Sequence, residues 1–299
     1  LQLDEAESLA VLAAYGLPVV PHRAAPTLEA AAEAAASLGW PVVLKVLSDA
    51  LPAKTEVGAV ALDLRDAGAL RAAAAAMEAG LAAARPGLRP RGWMVQRQAA
   101  PGRELRLRLG DDPMFGPWIG FGRGGTAASI EADESHDLPP LNRALALAMI
   151  GRTRVSRLLD GWRDHLPVSR EGLAEALVGL SQLAVDFPEV EAAVVNPLRA
   201  RPNGVEVLDA NITLRPPGET GSLAIPPYPA SLARPFTAKD GRSVLVRPIR
   251  PEDAEGLAAF VRRVPAEDVR YRFFNPLREL PPAQLVRLTQ IDYDREMAF

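Results

Sequence analysis

The residues best suited to chemistry in this 299-residue chain are one lysine, two glycines, an asparagine and two acids, spread widely along it. Lys45 lies in the apolar run PVVLKV, which is bounded by turn residues and so reads as a buried strand presenting one cation at a fixed point. A lysine held there needs a partner. A neighbouring carboxylate would make it a structural ion pair and a nucleotide phosphate would make it a binding group, and the stretch by itself leaves both open. The FGRGG run, with Gly124 and Gly125, can turn successive backbone N–H groups toward an anion. Asn196 in VVNPL, and Asp209 closing the strand that follows, offer a hard cation two oxygen ligands. Glu104 opens a strand of alternating charge and leucine, a place from which an acid can hold a ribose or a base. The three histidines, His22, His136 and His165, have no glycine-rich or metal-ligand context, so each is expected to pack or to face solvent.

The elements that must position these residues follow from periodicity and turn chemistry. Asp4 caps a first helix with Glu7 three residues on, and Gly16 stops it. A strand is expected at Leu17 to Val20, a helix from Thr27 to Gly39, and then the lysine strand, an alternation of helix and strand. Val60 to Leu64 reads as a strand and Asp66 opens a long alanine-rich helix. Trp93 to Gln96, Glu104 to Leu109 and Phe115 to Phe121 read as strands, Leu141 to Leu159 and Arg170 to Val185 as helices, and strands return around Val195 and Val207. The proline-rich stretch beyond Ile212 reads as a linker, after which a strand at Ser243 to Ile249, a helix at Glu252 to Val264, a turn of helix at Asp268 to Phe274 and a strand start at Glu296 to Phe299 are expected.

Composition narrows the classes. A net charge of −3 and a pI near 5.8 give no global field for nucleic acid or an anionic membrane. The chain has no cysteine, which excludes disulfides and thiolate chemistry and fits a reducing cytoplasm. It contains no apolar run long enough to span a bilayer. Its first residue is Leu1 and its last is Phe299, and the expectation is a chain cut from a longer polypeptide.

At this point GWPVVLKV, DPMFGPWIGFGRGG, DFPEVEAAVVNPL and EVLDANITL resemble the ATP-grasp part of NDP-forming acyl-CoA ligases. LVRPIRPEDAEGLAAF, EDVRYRFF and LTQIDYDREMAF resemble the opening of a GNAT acetyltransferase domain. The resemblance implies an α/β (α+β) fold with an ATP-grasp domain over 1–216, a linker over 217–240 and a truncated GNAT domain over 241–299. It implies nucleotide binding by Lys45, Glu104, Gly124 and Gly125, and magnesium on Asn196 and Asp209. In the ligases the lysine strand is followed by a segment whose histidine carries phosphate, and Ala53 stands in its place here. An acid two positions before the asparagine is replaced by Val194, and Gln96 and Arg97 occupy the strand that supplies an acid near the adenine. The acetyltransferase's base would lie beyond Phe299, and Arg270, Tyr271 and Arg272 would line its groove or form a solvated helix face.

The leading expectation is therefore a fragment of a cytoplasmic protein lysine acetyltransferase whose ATP-grasp domain is degenerate and regulatory, the parent protein using acetyl-CoA, acting on a protein lysine and forming a homo-oligomer. The alternatives are an ADP-forming acetate–CoA ligase subunit using ATP and magnesium, and a nucleotide-binding module without catalysis.

Overall fold

A computed structural model describes residues 1–48, 58–84, 86–87, 90–125, 132–163, 166–273, 279–293 and 295–299, with the side chains at 266, 272 and 273 excepted. Ala53 and His165 lie outside the described residues, as do the side chains of Arg272 and Phe273. The chain divides into two compact units, Leu1–Ala224 and Ile225–Phe299.

The first unit is a mixed α/β fold built on two antiparallel sheets. Helix α1 (Glu5–Ala14) starts as its residues predict: the Asp4 side chain accepts from the Glu7 backbone N–H and the Glu7 side chain accepts from that of Asp4. Strand β1 (His22–Ala25), helix α2 (Leu28–Leu38), strands β2 (Val42–Leu47) and β3 (Val60–Leu64), helix α3 (Ala67–Ala84) and strand β4 (Gly92–Arg97) follow. They form a four-stranded sheet in the order β1-β4-β2-β3, every pair antiparallel. The alternating helices cover this antiparallel sheet. Ala31 and Ala35 of α2 and Leu70, Ala74, Met77 and Leu81 of α3 share a core with Val42, Leu44 and Val46. Leu17 to Val20 is not a strand. It contributes one bridge, Val19 to Val207, and the strand begins two residues later.

The larger sheet comprises β5 (Arg103–Asp112), β6 (Gly116–Arg123), β7 (Glu134–Asp137), β8 (Val190–Arg201), β9 (Gly204–Val207) and β10 (Ala210–Leu214). Its order is β10-β8-β5-β6-β7, with β9 paired to β8. Leu105, Leu107 and Leu109 alternate with Glu104, Arg106 and Arg108, so one face of β5 is apolar and the other charged. The apolar face packs under α4 (Arg143–Gly151) and α6 (Arg170–Asp186), through Ala146, Met149, Leu173, Leu177 and Leu180. The helix expected over Leu141 to Leu159 is broken, resuming only as α5 (Ser156–Leu159). Asp133 causes the break by accepting from the backbone N–H groups of Arg154 and Val155, and the Thr153 hydroxyl accepts from Ser156.

In the second unit β11 (Arg234–Thr237) and β12 (Ser243–Val246) form a hairpin, followed by α7 (Ala254–Arg263), α8 (Ala266–Phe273) and α9 (Pro282–Thr289). Strand β11 falls within the stretch read as linker. Glu296 to Phe299 is not a strand; it holds to the unit through the Ile249 N–H donated to Ala298 O at 2.8 Å. No helix among the described residues is long and apolar enough to cross a membrane.

Candidate functional site

Strand β2 is buried at every residue, and Lys45 is the one charge in it. Its ammonium donates to Glu5 Oε1 at 2.6 Å and to the Leu208 carbonyl at 2.9 Å, and lies 3.7 Å from Asp209 Oδ2. The Lys45 and Glu5 side chains are 7% and 2% exposed, whereas Asp209 is 39% exposed, so the cluster has one wet carboxylate and one dry one. Burial is the largest influence on Lys45 and pulls its pKa down, but Asp209 and Glu5 together outweigh it and hold the ammonium above its ordinary range. Gln96 on β4 completes the cluster: its amide donates to Leu208 O at 3.2 Å and reaches Glu5 Oε1 at 3.4 Å. Of the two partners the lysine strand left open, the structure supplies the carboxylate. The cluster also ties the small sheet to the Leu208–Asp209 turn of the large one.

From that turn a chain of contacts runs onto the charged face of the large sheet. The Asn196 N–H donates to Asp209 O at 3.1 Å, and the Asn196 side-chain oxygen accepts from the Gly125 N–H at 2.8 Å. Gly124 N–H donates to Glu104 O at 3.1 Å. Glu104 Oε1 accepts from Arg199 at 2.8 Å. A Cβ on Gly125, whose φ is 83°, would come within 2.5 Å of Glu104 Oε2, and one on Gly124 would collide with the Leu105 carbonyl. The six residues singled out by sequence are thus brought together. The two glycines behave differently from the expectation: both N–H groups already have acceptors within the protein, and glycine is required by close backbone approach at Gly124 and by its positive φ at Gly125.

Asn196 and Asp209 are the oxygen donors at this corner of the site. Asn196 Oδ1 spends one lone pair on Gly125, and the Asp209 side chain is 39% exposed with Oδ2 3.7 Å from the Lys45 ammonium. Lys45, Glu5 and Asp209 together carry one excess negative charge. That donor set fits a magnesium ion drawing most of its shell from water and phosphate. No group of three or more metal-ligating side chains occurs among the described residues.

Three participants carried no sequence signal. Glu5 reads as an ordinary first-turn helix acid, and its distance from Lys45 is visible only in three dimensions. Arg106 lies opposite a bulge: Leu105 pairs with Leu198 and Leu107 with Val195, so Asn196 and Pro197 together face the single residue Arg106. His136, expected to be plain, lies 3.3 Å from Glu134 on the same face. His22 does conform, its Nδ1 lying 2.9 Å from Val20 O. Arg97 reaches Glu206 at 3.9 Å, and Val194 is exposed beside Asn211. In the second unit Arg270 and Tyr271 are exposed on α8. A cleft of about 300 Å³ lined by Arg123, Asp133, Arg154, Val155 and Leu158 contains none of the site residues.

Residues 1–214 match the model of the ATP-grasp domain family. The chain is 30% identical over 212 residues to the β subunit of ADP-forming acetate–CoA ligase I of Pyrococcus furiosus, covering 71% of this chain and 91% of that one. It is 34% identical over 209 residues to ADP-forming acetate–CoA ligase I of Archaeoglobus fulgidus, covering 70% of this chain but only 30% of the relative. Among solved structures, the dinucleotide-forming acetyl-coenzyme A synthetase 1 of Ca. Korarchaeum cryptofilum, in complex with coenzyme A and Ca-AMPCP, superposes with a TM-score of 0.70 at 34% identity, covering 72% of this chain and 93% of that one.

These matches correct the leading expectation of a protein lysine acetyltransferase. The extended likenesses are to ligases, and they fall on the domain that holds the assembled site. A likeness to an acetyltransferase of Pseudomonas aeruginosa, 43% identical, extends over only 60 residues, 20% of this chain and 32% of that one, and carries no activity across. The chain belongs to the ATP-grasp family, in the form found in NDP-forming acyl-CoA ligases of the acetate–CoA ligase β-subunit type.

Proposed function

We propose that this chain supplies the nucleotide-binding domain of an ADP-forming acyl–CoA ligase, which couples ATP cleavage to ADP and phosphate with formation of a thioester from a carboxylate and CoA. The observation that supports this reading is the continuous array from Lys45 through Asp209, Asn196 and Gly125 to Glu104, set at the junction of the two sheets. Arg106 supplies a cation to the phosphates, Lys45 holds the Asp209 carboxylate in place, and Glu104 faces the ribose. Asn196 and Asp209 hold the magnesium, which neutralises phosphate charge when bound. CoA and the acid bind on a separate half of the enzyme, and the partner is that half.

A second reading, nucleotide binding without phosphoryl transfer, is favoured by two residues. Ala53 takes the place of the phosphate-carrying histidine, and a methyl group cannot carry phosphate. Val194 takes the place of an acid beside the metal ligands. One experiment separates the readings: calorimetry with Mg-ATP, then incubation with acetate, CoA and the CoA-binding half of a related ligase. ADP formation that requires both acetate and CoA supports the ligase. Mg-ATP binding without turnover supports the second reading, and in either case Asp209→Asn should weaken binding about tenfold, the order of one charge-assisted contact. No binding at millimolar Mg-ATP overturns both.

A further inference from the structure

Gln96 is buried beside the array without belonging to it, and the register of the small sheet explains where its side chain goes. Across β4 and β2, Gln96 pairs with Val43 and Met94 with Lys45, so these four residues share one face of the sheet. The other face, with Val42, Leu44, Val46 and Val95, packs under α2 and α3. Lys45 and Gln96 are thus diagonal neighbours on the face turned away from those helices. Both reach the same atom, the Leu208 carbonyl oxygen, at 2.9 and 3.2 Å.

Leu208 lies in the turn between β9 and β10 that carries Asp209. Val207 N–H donates to Pro18 O at 2.7 Å, and Val207 O accepts from the Val20 N–H at 3.0 Å. Leu208 N–H donates to Pro197 O at 3.1 Å, and Asp209 O accepts from the Asn196 N–H at 3.1 Å. The Leu208 carbonyl is where the small sheet takes hold of the turn. That C=O belongs to the planar peptide unit ending at the Asp209 Cα, so fixing it fixes the direction in which the Asp209 side chain leaves the backbone. Lys45 divides its hydrogens between this carbonyl and carboxylates, whereas Gln96 is neutral and 3% exposed. A buried amide is tolerated only where its hydrogens find acceptors. Gln96 Nε2 finds Leu208 O at 3.2 Å, with Met94 Sδ at 3.3 Å and Glu5 Oε1 at 3.4 Å beside it. It holds the turn without altering the charge around Asp209.

Building on the nucleotide reading, in which Asn196 and Asp209 hold magnesium, we infer that Gln96 is a positioning residue for the metal. It acts through the Leu208 carbonyl on the Asp209 carboxylate and contacts neither the nucleotide nor the ion. Groups that stand behind a metal ligand set its orientation, and thereby the affinity for the ion. Taking the amide away leaves Lys45 on the same carbonyl, so the turn persists but loses one of its two side-chain bonds. The change then falls on the magnesium-dependent part of nucleotide binding and spares the metal-free part.

The test is calorimetry on the 299-residue chain with ATP, once with magnesium and once with a chelator. In the parent, magnesium should strengthen ATP binding. Gln96→Met keeps the length of the side chain but has no donor. It should weaken Mg-ATP about three- to tenfold, the order of one uncharged hydrogen bond, while metal-free ATP binds as it does to the parent. Asp209→Asn should remove most of the magnesium effect, and adding Gln96→Met to it should cause no further loss, because the two act through one carboxylate. Circular dichroism and the thermal midpoint confirm that each variant is folded. Should Gln96→Met not fold, Gln96→Asn takes its place, since its amide falls one methylene short of the carbonyl. Equal weakening with and without magnesium would assign Gln96 to packing alone and overturn the inference. Additive losses in the double variant, or a Gln96→Met that binds Mg-ATP like the parent, overturn it too. A parent that binds ATP equally with and without magnesium overturns the positioning role and leaves the nucleotide reading standing. Failure of the parent to bind ATP at millimolar concentration overturns that reading and this inference with it.

Discussion

The two units of this chain use ion pairs in opposite ways. In residues 1–224 the Lys45–Glu5 pair is dry, with side chains 7% and 2% exposed, and its remaining donors and acceptors are taken by Leu208, Gln96 and Asp209. In residues 225–299 the Arg247–Asp253 pair is bidentate and just as short, at 2.7 and 2.8 Å, yet its side chains are 31% and 30% exposed. The apolar surroundings differ in the same direction. Two continuous cores fill the first unit, whereas Pro248, Val261, Val269 and Leu280 are the buried apolar residues of the second among those described. A buried pair costs desolvation and is tolerable only when every donor finds an acceptor, so it fixes one geometry. An exposed pair fixes little. The proposed function needs the first kind, because a metal and a phosphate must be met at set positions.

The sharpest way to break this contrast is to remove one partner of the dry pair. Lys45→Met takes from the buried Glu5 carboxylate the ammonium that lies 2.6 Å away, which should destabilise the first unit by about 3 to 5 kcal/mol in chemical denaturation. Replacing both partners, as Lys45→Met with Glu5→Leu, should restore much of that loss, because the carboxylate that lost its ammonium goes with the second change. The pH dependence has a definite sign. Lys45 has its pKa raised on folding, so its stabilisation is complete below the ordinary lysine value and is lost as pH rises through the folded one. The difference between parent and double variant should therefore narrow only in strong alkali. A double variant no more stable than Lys45→Met would show that the lysine's packing, and not its charge, holds the sheets.

Much of this contrast was legible in the sequence, and what was not has physical reasons. The capping box at Asp4, the stop at Gly39 and the alternation along β5 are local signals, and each element formed where they put it. Lys45 stood out because a charge inside a β-branched run has to be answered. Its partner Glu5 did not stand out, since the two are 40 residues apart and nothing local links them. Strand β7 is short and polar, ESHD, and takes its place by pairing with β6, so no periodicity announced it. Gly124 and Gly125 suggested an anion cradle because glycine has two uses, exposing N–H groups and admitting a close neighbour, and composition does not tell them apart. The error over the acetyltransferase came from the second unit, whose motifs drew weight that the domain carrying the site did not support.

The two uses of glycine give a prediction of intermediate size. A Cβ at Gly124 would meet the Leu105 carbonyl on β5, so Gly124→Ala must push β6 away from its neighbour. Overpacking of this kind should cost about 1 to 3 kcal/mol. Hydrogen exchange at Gly122 and Arg123 should accelerate with it, since β6 pairs there with Arg106 and Leu105. Wild-type stability in Gly124→Ala would return the glycine to the role of an anion cradle.

The smallest effect is expected at the exposed pair of the second unit. Hydrogen bonding from the Arg247 side chain, with help from the Arg250 backbone N–H, lowers the Asp253 carboxyl to about 2. A depressed acid contributes stability that is present above its ordinary value, 3.8, and is lost as pH falls through the folded one, so the contribution should vanish between roughly pH 4 and pH 2. Because both side chains are about a third exposed, solvent screens the pair, and Asp253→Asn should cost less than about 1 kcal/mol at neutral pH. The substitution keeps the side chain's size but turns one of two accepting oxygens into a donor, so it reports the loss of the charge together with one arm of the bidentate bond. Nuclear magnetic resonance titration of the Asp253 carboxyl checks the depressed value directly, and denaturation of parent and variant at pH 7 and pH 2 checks the linkage. A loss as large as that of Lys45→Met would mean that the exposed pair is as binding as the buried one, and the contrast between the two units would fall.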